Sequence, residues 1–93
     1  MNLALADVRS RRPRDDDERR TECRYTLKRI ALELNKPKGE WGPLAEKIGR
    51  HVNVISRWYS EGVVPMHSAR WMQKTLGFDE NLIRVLAWES SRA

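Results

Sequence analysis

The stretch GPLAEKIGRHVNVISRWY, residues 42–59, decides which fold this chain adopts. Its first part predicts a short helix, because Pro43 can occupy a first helical position and apolar residues follow at helical spacing. Gly49 is expected to end that helix, since helix ends often need a residue in the left-handed region and glycine enters it freely. A second short helix is expected over about residues 52–60. Such short helices are unstable by themselves, so they must pack on each other and on the rest of the chain.

Two short helices joined by a tight turn form a helix-turn-helix, in which the second helix enters the major groove of DNA. Ile55 and Trp58 should face the core, which leaves the opposite face of this helix for bases. The expected base contacts are His51, Val52, Asn53, Ser56 and Arg57. Arginine can bond O6 and N7 of guanine, and asparagine can bond N6 and N7 of adenine. Two alternatives stay open: Arg57 contacts a phosphate instead of a base, and His51 caps the helix.

The DNA backbone has candidate partners on both sides of this second helix. The N-terminus of the helix before it offers free N–H groups and the positive end of a helix dipole, which suit a phosphate. The expected backbone contacts are Lys38, Trp41, Lys47, Arg50 and Ser60. For Trp41 the alternative is that the indole only covers the core.

A wider set of residues resembles the small phage helix-turn-helix transcription regulators. The residues that carry this resemblance are AEKIG at 45–49, ISRW at 55–58, Pro65, Gly77 and the acidic pair Asp79-Glu80. The lambda CII-type activators match most fully and the Cro-type repressors come second, over about residues 25–88. Arg50 departs from the pattern, because the residue after the turn glycine is usually apolar in that family, and this leaves the docking angle open.

The resemblance implies a lambda-repressor-like bundle that binds specific sequences in double-stranded DNA and regulates transcription in a bacterial cytoplasm. It also implies a homodimer or homotetramer, and an activator would touch RNA polymerase. Activation and repression both stay open. We expect an all-α chain of about five short helices with a flexible N-terminal arm.

Composition agrees with one small DNA-binding domain. The 93 residues carry 18 Lys and Arg against 13 Asp and Glu, a net charge of +5, which favours nucleic acid or another anionic partner. A single cysteine, Cys23, excludes an internal disulfide and forms no metal set with the two histidines. There is no apolar run long enough for a membrane span, no phosphate-binding glycine loop and no nucleophile–base set. We therefore expect no enzyme, no cofactor and no metal.

The chain divides into three parts by composition. Residues 1–20 hold six basic and five acidic side chains and predict a flexible arm. The basic part of the arm either reaches along DNA or is a solvated tail. Residues 21–77 are expected to form the DNA-binding domain, with helices over 22–35 and about 66–76. Residues 78–93 predict a last helix that begins after Asp79 and runs to about residue 90.

That last helix has apolar residues on several faces, which one small core is not expected to cover. The predicted oligomer interface is Leu82, Ile83, Val85, Leu86 and Trp88. The alternative is that this helix closes the core of the single chain.

Other functions use the same features. A DNA-packaging or other assembly subunit would bind DNA without regulating transcription, and a protein-only adaptor would use the helix-turn-helix for packing. RNA binding through the arginine-rich arm is a further alternative.

Overall fold

The computed structural model describes the backbone of residues 2–91 and the side chains of residues 16–90. The described backbone contains six α-helices and no strand. The helices are α1 (Asn2–Leu34), α2 (Trp41–Ile48), α3 (Val52–Glu61), α4 (Met66–Leu76), α5 (Glu80–Leu86) and α6 (Trp88–Ser91). The predicted all-α class is therefore confirmed.

The middle helices follow the sequence prediction closely. Helix α3 was expected over 52–60 and α4 over 66–76, and both are found within one residue of these bounds. Gly49 ends α2 in the left-handed region with φ of 70°, and its N–H bonds to the carbonyls at the end of the helix. Helix α2 begins at Trp41, earlier than Pro43, so the proline lies inside the first turn, where its missing N–H is still harmless.

Helix α1 corrects the prediction for the N-terminal part of the chain. The helix begins at Asn2 and not at residue 22, and it has no break at the expected end of the arm. The acidic residues at 15 and 16 precede Arg19 and Arg20 by four positions, a spacing that stabilises a helix. Arg20 also ties this helix to the domain, because its Nη1 donates to Glu61 O at 2.7 Å. Side chains before residue 16 lie outside the described residues.

The C-terminal segment forms two helices where one was expected. Asp79 caps α5 as expected, since its side chain accepts the Leu82 N–H at 3.3 Å. The helical conformation is then interrupted at Ala87, where φ is −102° and ψ is 43°, and α6 begins at the next residue. This break gives six helices in the described part of the chain instead of the expected number of about five.

The core takes residues from all six helices and from the segment between α3 and α4. Its members are Cys23, Leu27, Ala31, Leu44, Ala45, Ile48, Ile55, Trp58, Val64, Ala69, Met72, Ile83, Leu86, Ala87 and Trp88. Helix α1 packs along α2, α3 and α5 and so forms the spine of the domain. Cys23 is fully buried and belongs to the core.

The segment after α3 is hydrogen-bonded to the C-terminal helices. Val64 N donates to Leu86 O at 2.8 Å, and the Trp88 indole N–H donates to Gly62 O at 2.8 Å. Gly62 has φ of 74°, and a Cβ there would lie 2.6 Å from the Cβ of Arg20. The end of α3 is therefore fixed by α1 on one side and by α6 on the other.

Candidate functional site

Helix α3 presents a polar exposed face opposite its buried face. Ile55 and Trp58 are buried, as predicted, and hold the helix against the core. The predicted base-contact residues His51, Val52, Asn53, Ser56 and Arg57 are all exposed. Asn53, Ser56, Arg57 and Ser60 are three and four positions apart and so share one face of the helix. The fold thus brings the predicted set together on one accessible surface.

The N-terminal end of α3 is capped by a residue that was also a candidate base contact. His51 Nδ1 accepts the Asn53 N–H at 3.1 Å and satisfies one of the free donors of the first turn. The capping alternative for His51 is therefore found in the structure, and base contact by its other ring nitrogen stays a prediction.

The C-terminal end of α3 is held by two arginines of α1. Arg24 donates from Nε to Tyr59 O and from Nη2 to Ser60 O, both at 2.8 Å, and Arg20 donates to Glu61 O. Guanidinium groups suit this position, because the last carbonyls of a helix lack partners and carry the negative end of its dipole. The sequence does not indicate these contacts, because they join α1 to backbone carbonyls at least 35 residues away.

The turn between α2 and α3 is held from α4. Trp71 donates its indole N–H to Ile48 O at 2.8 Å, just before Gly49. Trp71 as a whole is 46% exposed. The sequence does not indicate this contact, because its acceptor is a backbone carbonyl 23 residues away.

Trp41 joins α1, α2 and α3 at one edge of the core. Its ring centroid lies 5.1 Å from that of Tyr59, and the Lys28 ammonium lies 4.7 Å from the Trp41 centroid. Trp41 is half-buried and packs against the core cluster. The structure thus gives Trp41 the covering role that was the alternative to a contact with the DNA backbone.

The other residues that were predicted to contact the DNA backbone lie within the α2–α3 unit or just before it. Lys38 lies before α2, Lys47 in the last turn of α2 and Arg50 in the connecting turn, and all three are exposed. They form no ion pair within residues 16–90. Ser60 is exposed in the last turn of α3. Exposed positive charge therefore lies before α2, at its C-terminal end and in the turn that leads into α3.

The predicted oligomer interface is only partly at the surface. Ile83, Leu86 and Trp88 are at most 1% exposed and belong to the core of the single chain. For these three residues the alternative holds, because α1 and the segment after α3 cover them. Leu82 and Val85 are half-buried and remain accessible.

The described part of the chain offers little for other chemistry. Within it, no three His, Cys, Asp or Glu side chains lie close enough together to bind a metal ion. Burial raises the pKa of the Cys23 thiol from 9.0 to about 12, although the nearby Arg24 charge lowers it in part. None of the described helices has the length and apolar character needed to cross a bilayer.

Comparison with protein-family models, with curated proteins and with solved structures finds no match to this chain. Function therefore has to be inferred from the geometry and chemistry of the α2–α3 unit.

Proposed function

We propose that the chain is a helix-turn-helix protein that binds double-stranded DNA and regulates transcription, with α3 in the major groove. The observation that carries this proposal is the exposed face of α3. It holds Asn53, Ser56 and Arg57 on a helix that is fixed at both ends and buried on its opposite face. A rigid helix that presents hydrogen-bonding side chains to solvent suits the reading of base edges.

The geometry of the α2–α3 unit supports this interpretation. Helix α2 has eight residues, α3 has ten, and only residues 49–51 connect them. Gly49 supplies the left-handed conformation in that short connection. A short turn that contains glycine between two packed helices is typical of the DNA-binding helix-turn-helix.

Surface charge supports it as well. Lys38, Lys47, Arg50 and Arg57 are exposed in and around the unit, where the acidic residues are Glu40, Glu46 and, at the C-terminal end of α3, Glu61. In this proposal the first three cations contact phosphates, which gives affinity and register, and α3 supplies sequence preference.

The test is the selection of duplex DNA from a random pool at near-physiological salt. The variant is Asn53→Ala with Arg57→Ala. The matched control is Asn81→Ala with Lys74→Ala, which removes the same amide and one positive charge from exposed sites on α5 and α4. We expect the natural chain and the control to enrich a sequence motif and the α3 variant to lose it.

Two results would overturn the proposal. Enrichment of no motif would remove sequence-specific regulation, and DNA binding without preference would then favour an assembly or packaging role. Enrichment that survives the α3 substitutions would mean that this helix does not read the sequence.

The role of Arg57 is decided by the single variant Arg57→Ala. If Arg57 reads a base, preference at one position of the motif should relax, with a loss of ~1–3 kcal/mol of discrimination. If it contacts a phosphate, all sequences should weaken alike, and the salt dependence of binding should fall by about one unit of slope.

A further inference from the structure

A groove lies where α1, α4, α5 and α6 meet, on a part of the surface that the proposed function does not use. Its volume is about 560 Å³. Small-molecule sites in proteins have volumes of roughly 300–1,000 Å³, so a small organic molecule fits in this space. The charged residues that line the groove are Arg19, Arg70, Glu80 and Arg84.

The charge of this lining is mainly positive. Arg19 comes from α1, Arg70 from α4 and Arg84 from α5, so three separate helices bring guanidinium groups to one concave surface. The one acidic side chain among the described lining residues is Glu80. Three positive charges against one negative charge leave a net charge of +2. A cleft with one predominant sign of charge concentrates ligands of the opposite sign, which here means anions.

Arg70 is held in place by contacts on its own side of the groove. Its Nη1 donates to Glu80 Oε1 at 2.8 Å and to Gln73 Oε1 at 3.4 Å. The hydrogen bond from Arg70 also lowers the pKa of the Glu80 carboxyl. Within the described residues, Nε and Nη2 of Arg70 donate to no acceptor. Arg70 is therefore oriented by one nitrogen and keeps its other donors for a ligand.

The other two arginines of the groove are available in full. Arg19 and Arg84 are exposed, and neither forms an ion pair or a hydrogen bond within residues 16–90. Glu80 attracts Arg84 electrostatically, but the two side chains form no ion pair. A free guanidinium group binds phosphate or carboxylate oxygens through two parallel N–H···O bonds.

The inner part of the groove is apolar. Met66, at the start of α4, is half-buried there. Ile83 and Trp88 are at most 1% exposed and close the floor. An apolar floor with a few polar groups around it is typical of sites for small organic molecules.

We propose that this groove binds the phosphate group of a small organic molecule, with the three arginines around the phosphate and Met66 beside the organic part. A phosphate group carries about 1.5–2 negative charges at neutral pH and three acceptor oxygens. This matches a lining with a net charge of +2 and three guanidinium groups. Glu80 is then a positioning residue, because it acts through Arg70 and not on the ligand.

The DNA backbone offers the same phosphate chemistry, but the position of the groove favours the small molecule. Helix α3 packs mainly on α1 and α2, and the groove lies on α1, α4, α5 and α6. None of the residues that line it belongs to the α2–α3 unit. A duplex that is read by α3 would therefore contact a different part of the surface.

The test is calorimetric titration of the full chain, without DNA and at constant ionic strength, with phenyl phosphate and with inorganic phosphate. We expect one saturable site per chain for phenyl phosphate. Inorganic phosphate should bind more weakly, because it leaves the apolar floor uncovered. Met66→Ala should weaken the binding of phenyl phosphate and leave that of inorganic phosphate unchanged.

Single arginine variants locate the site. Arg19→Ala and Arg84→Ala each remove one charge-assisted contact and should raise the dissociation constant for phenyl phosphate about tenfold. Arg29→Ala is the matched control, because it removes the same exposed side chain from α1 outside the groove. The control should bind phenyl phosphate as the natural chain does.

A second measurement uses the natural chain alone and does not depend on the folding of any variant. In ¹H–¹⁵N NMR spectra, the amide signals around Arg70 and Ile83 should shift with phenyl phosphate until the site is saturated. The signals around Asn53 should not shift. Addition of duplex DNA should leave the bound phenyl phosphate in place.

The proposal is overturned if phenyl phosphate shows no saturable binding, or if Arg29→Ala weakens binding as much as Arg84→Ala does. Shifts around Asn53 in place of Arg70 would move the site to α3 and refute the groove. Displacement of phenyl phosphate by duplex DNA would assign the groove to the DNA backbone. Because the titrations contain no DNA, a chain that binds phenyl phosphate but selects no DNA sequence would refute only the proposed function.

Discussion

The two ends of α3 are held in opposite ways. At the N-terminal end, His51 accepts a hydrogen bond from Asn53, only two residues away, and both residues are exposed. At the C-terminal end, Arg20 and Arg24 reach the last carbonyls from α1, at least 35 residues earlier in the chain. The N-terminal end of α3 therefore depends on residues adjacent in sequence and stays exposed. The C-terminal end depends on tertiary contacts with α1. A helix that reads DNA with its N-terminal residues needs this combination.

The largest effect is expected from breaking the C-terminal contacts. Arg24→Ala removes two charge-assisted hydrogen bonds to Tyr59 O and Ser60 O and should lower the free energy of unfolding by about 2 kcal/mol. Urea unfolding monitored by circular dichroism would measure this. Amide exchange near Gly62 should accelerate, while exchange near Val52 should change less.

Arg24→Lys serves as the control for this variant. Lysine keeps the charge but lacks the planar fork that reaches two carbonyls at once, so an intermediate loss is expected. If Arg24→Ala and the natural chain unfold at the same urea concentration, the anchoring of this end by α1 is refuted.

Alkaline pH tests the buried side of the same end. Cys23 precedes Arg24, its Sγ donates to Leu86 O at 3.5 Å, and burial raises its pKa from 9.0 to about 12. Its contribution is complete below pH 9 and is lost as pH rises from 9 to 12, because only the unfolded chain releases the proton easily in that range. At pH 10 the loss should be about 1 kcal/mol.

Cys23→Ala isolates this contribution from the titration of tyrosines and lysines. The natural chain should lose more stability between pH 8 and pH 10 than the variant does, measured by urea unfolding at each pH. Parallel losses in the two proteins would show that the thiol ionises as easily in the folded chain as in the unfolded one.

The smallest effect is expected at the N-terminal end. His51→Ala removes the cap and should cost about 0.5 kcal/mol, because the site is exposed and water can replace the acceptor. His51→Asp should restore or exceed the natural stability, since a carboxylate also favours the positive end of the helix dipole. Thermal unfolding without DNA would rank the three proteins, and a loss as large as that of Arg24→Ala would contradict the contrast between the two ends.

Local signals explain which parts of the fold could be predicted from sequence. Gly49, Pro65 and Gly77 mark the bounds of α2 and α4, and the spacing of Ile55 and Trp58 identified the buried face of α3. The exposed site residues followed from that face. These signals act within a few residues, where the types of neighbouring side chains determine the backbone.

The remaining features depend on contacts distant in sequence. The extension of α1 and the anchoring of α3 involve hydrogen bonds to backbone carbonyls, such as Glu61 O. Every residue has a carbonyl, so the residue type does not show which carbonyl accepts a side chain from elsewhere in the chain. The same applies to Trp71 and Ile48 O. Trp88 was predicted to lie in an oligomer interface. The residues of its own helix do not reveal that α1 and Gly62, which are distant in sequence, cover it.

The close approach of Gly62 to Arg20 also limits how this chain can vary. A Cβ at position 62 would lie 3.0 Å from the Cα of Arg20, so any side chain there would push the backbones of α1 and the α3 turn apart. At Gly42, by contrast, a Cβ would meet nothing within 4 Å, and φ is not positive. In a library of all single substitutions, position 42 should accept many residues and position 62 almost none. Where α1, the longest helix, crosses the end of α3, there is no room for even one methyl group at position 62. This lack of space limits which substitutions the domain tolerates there.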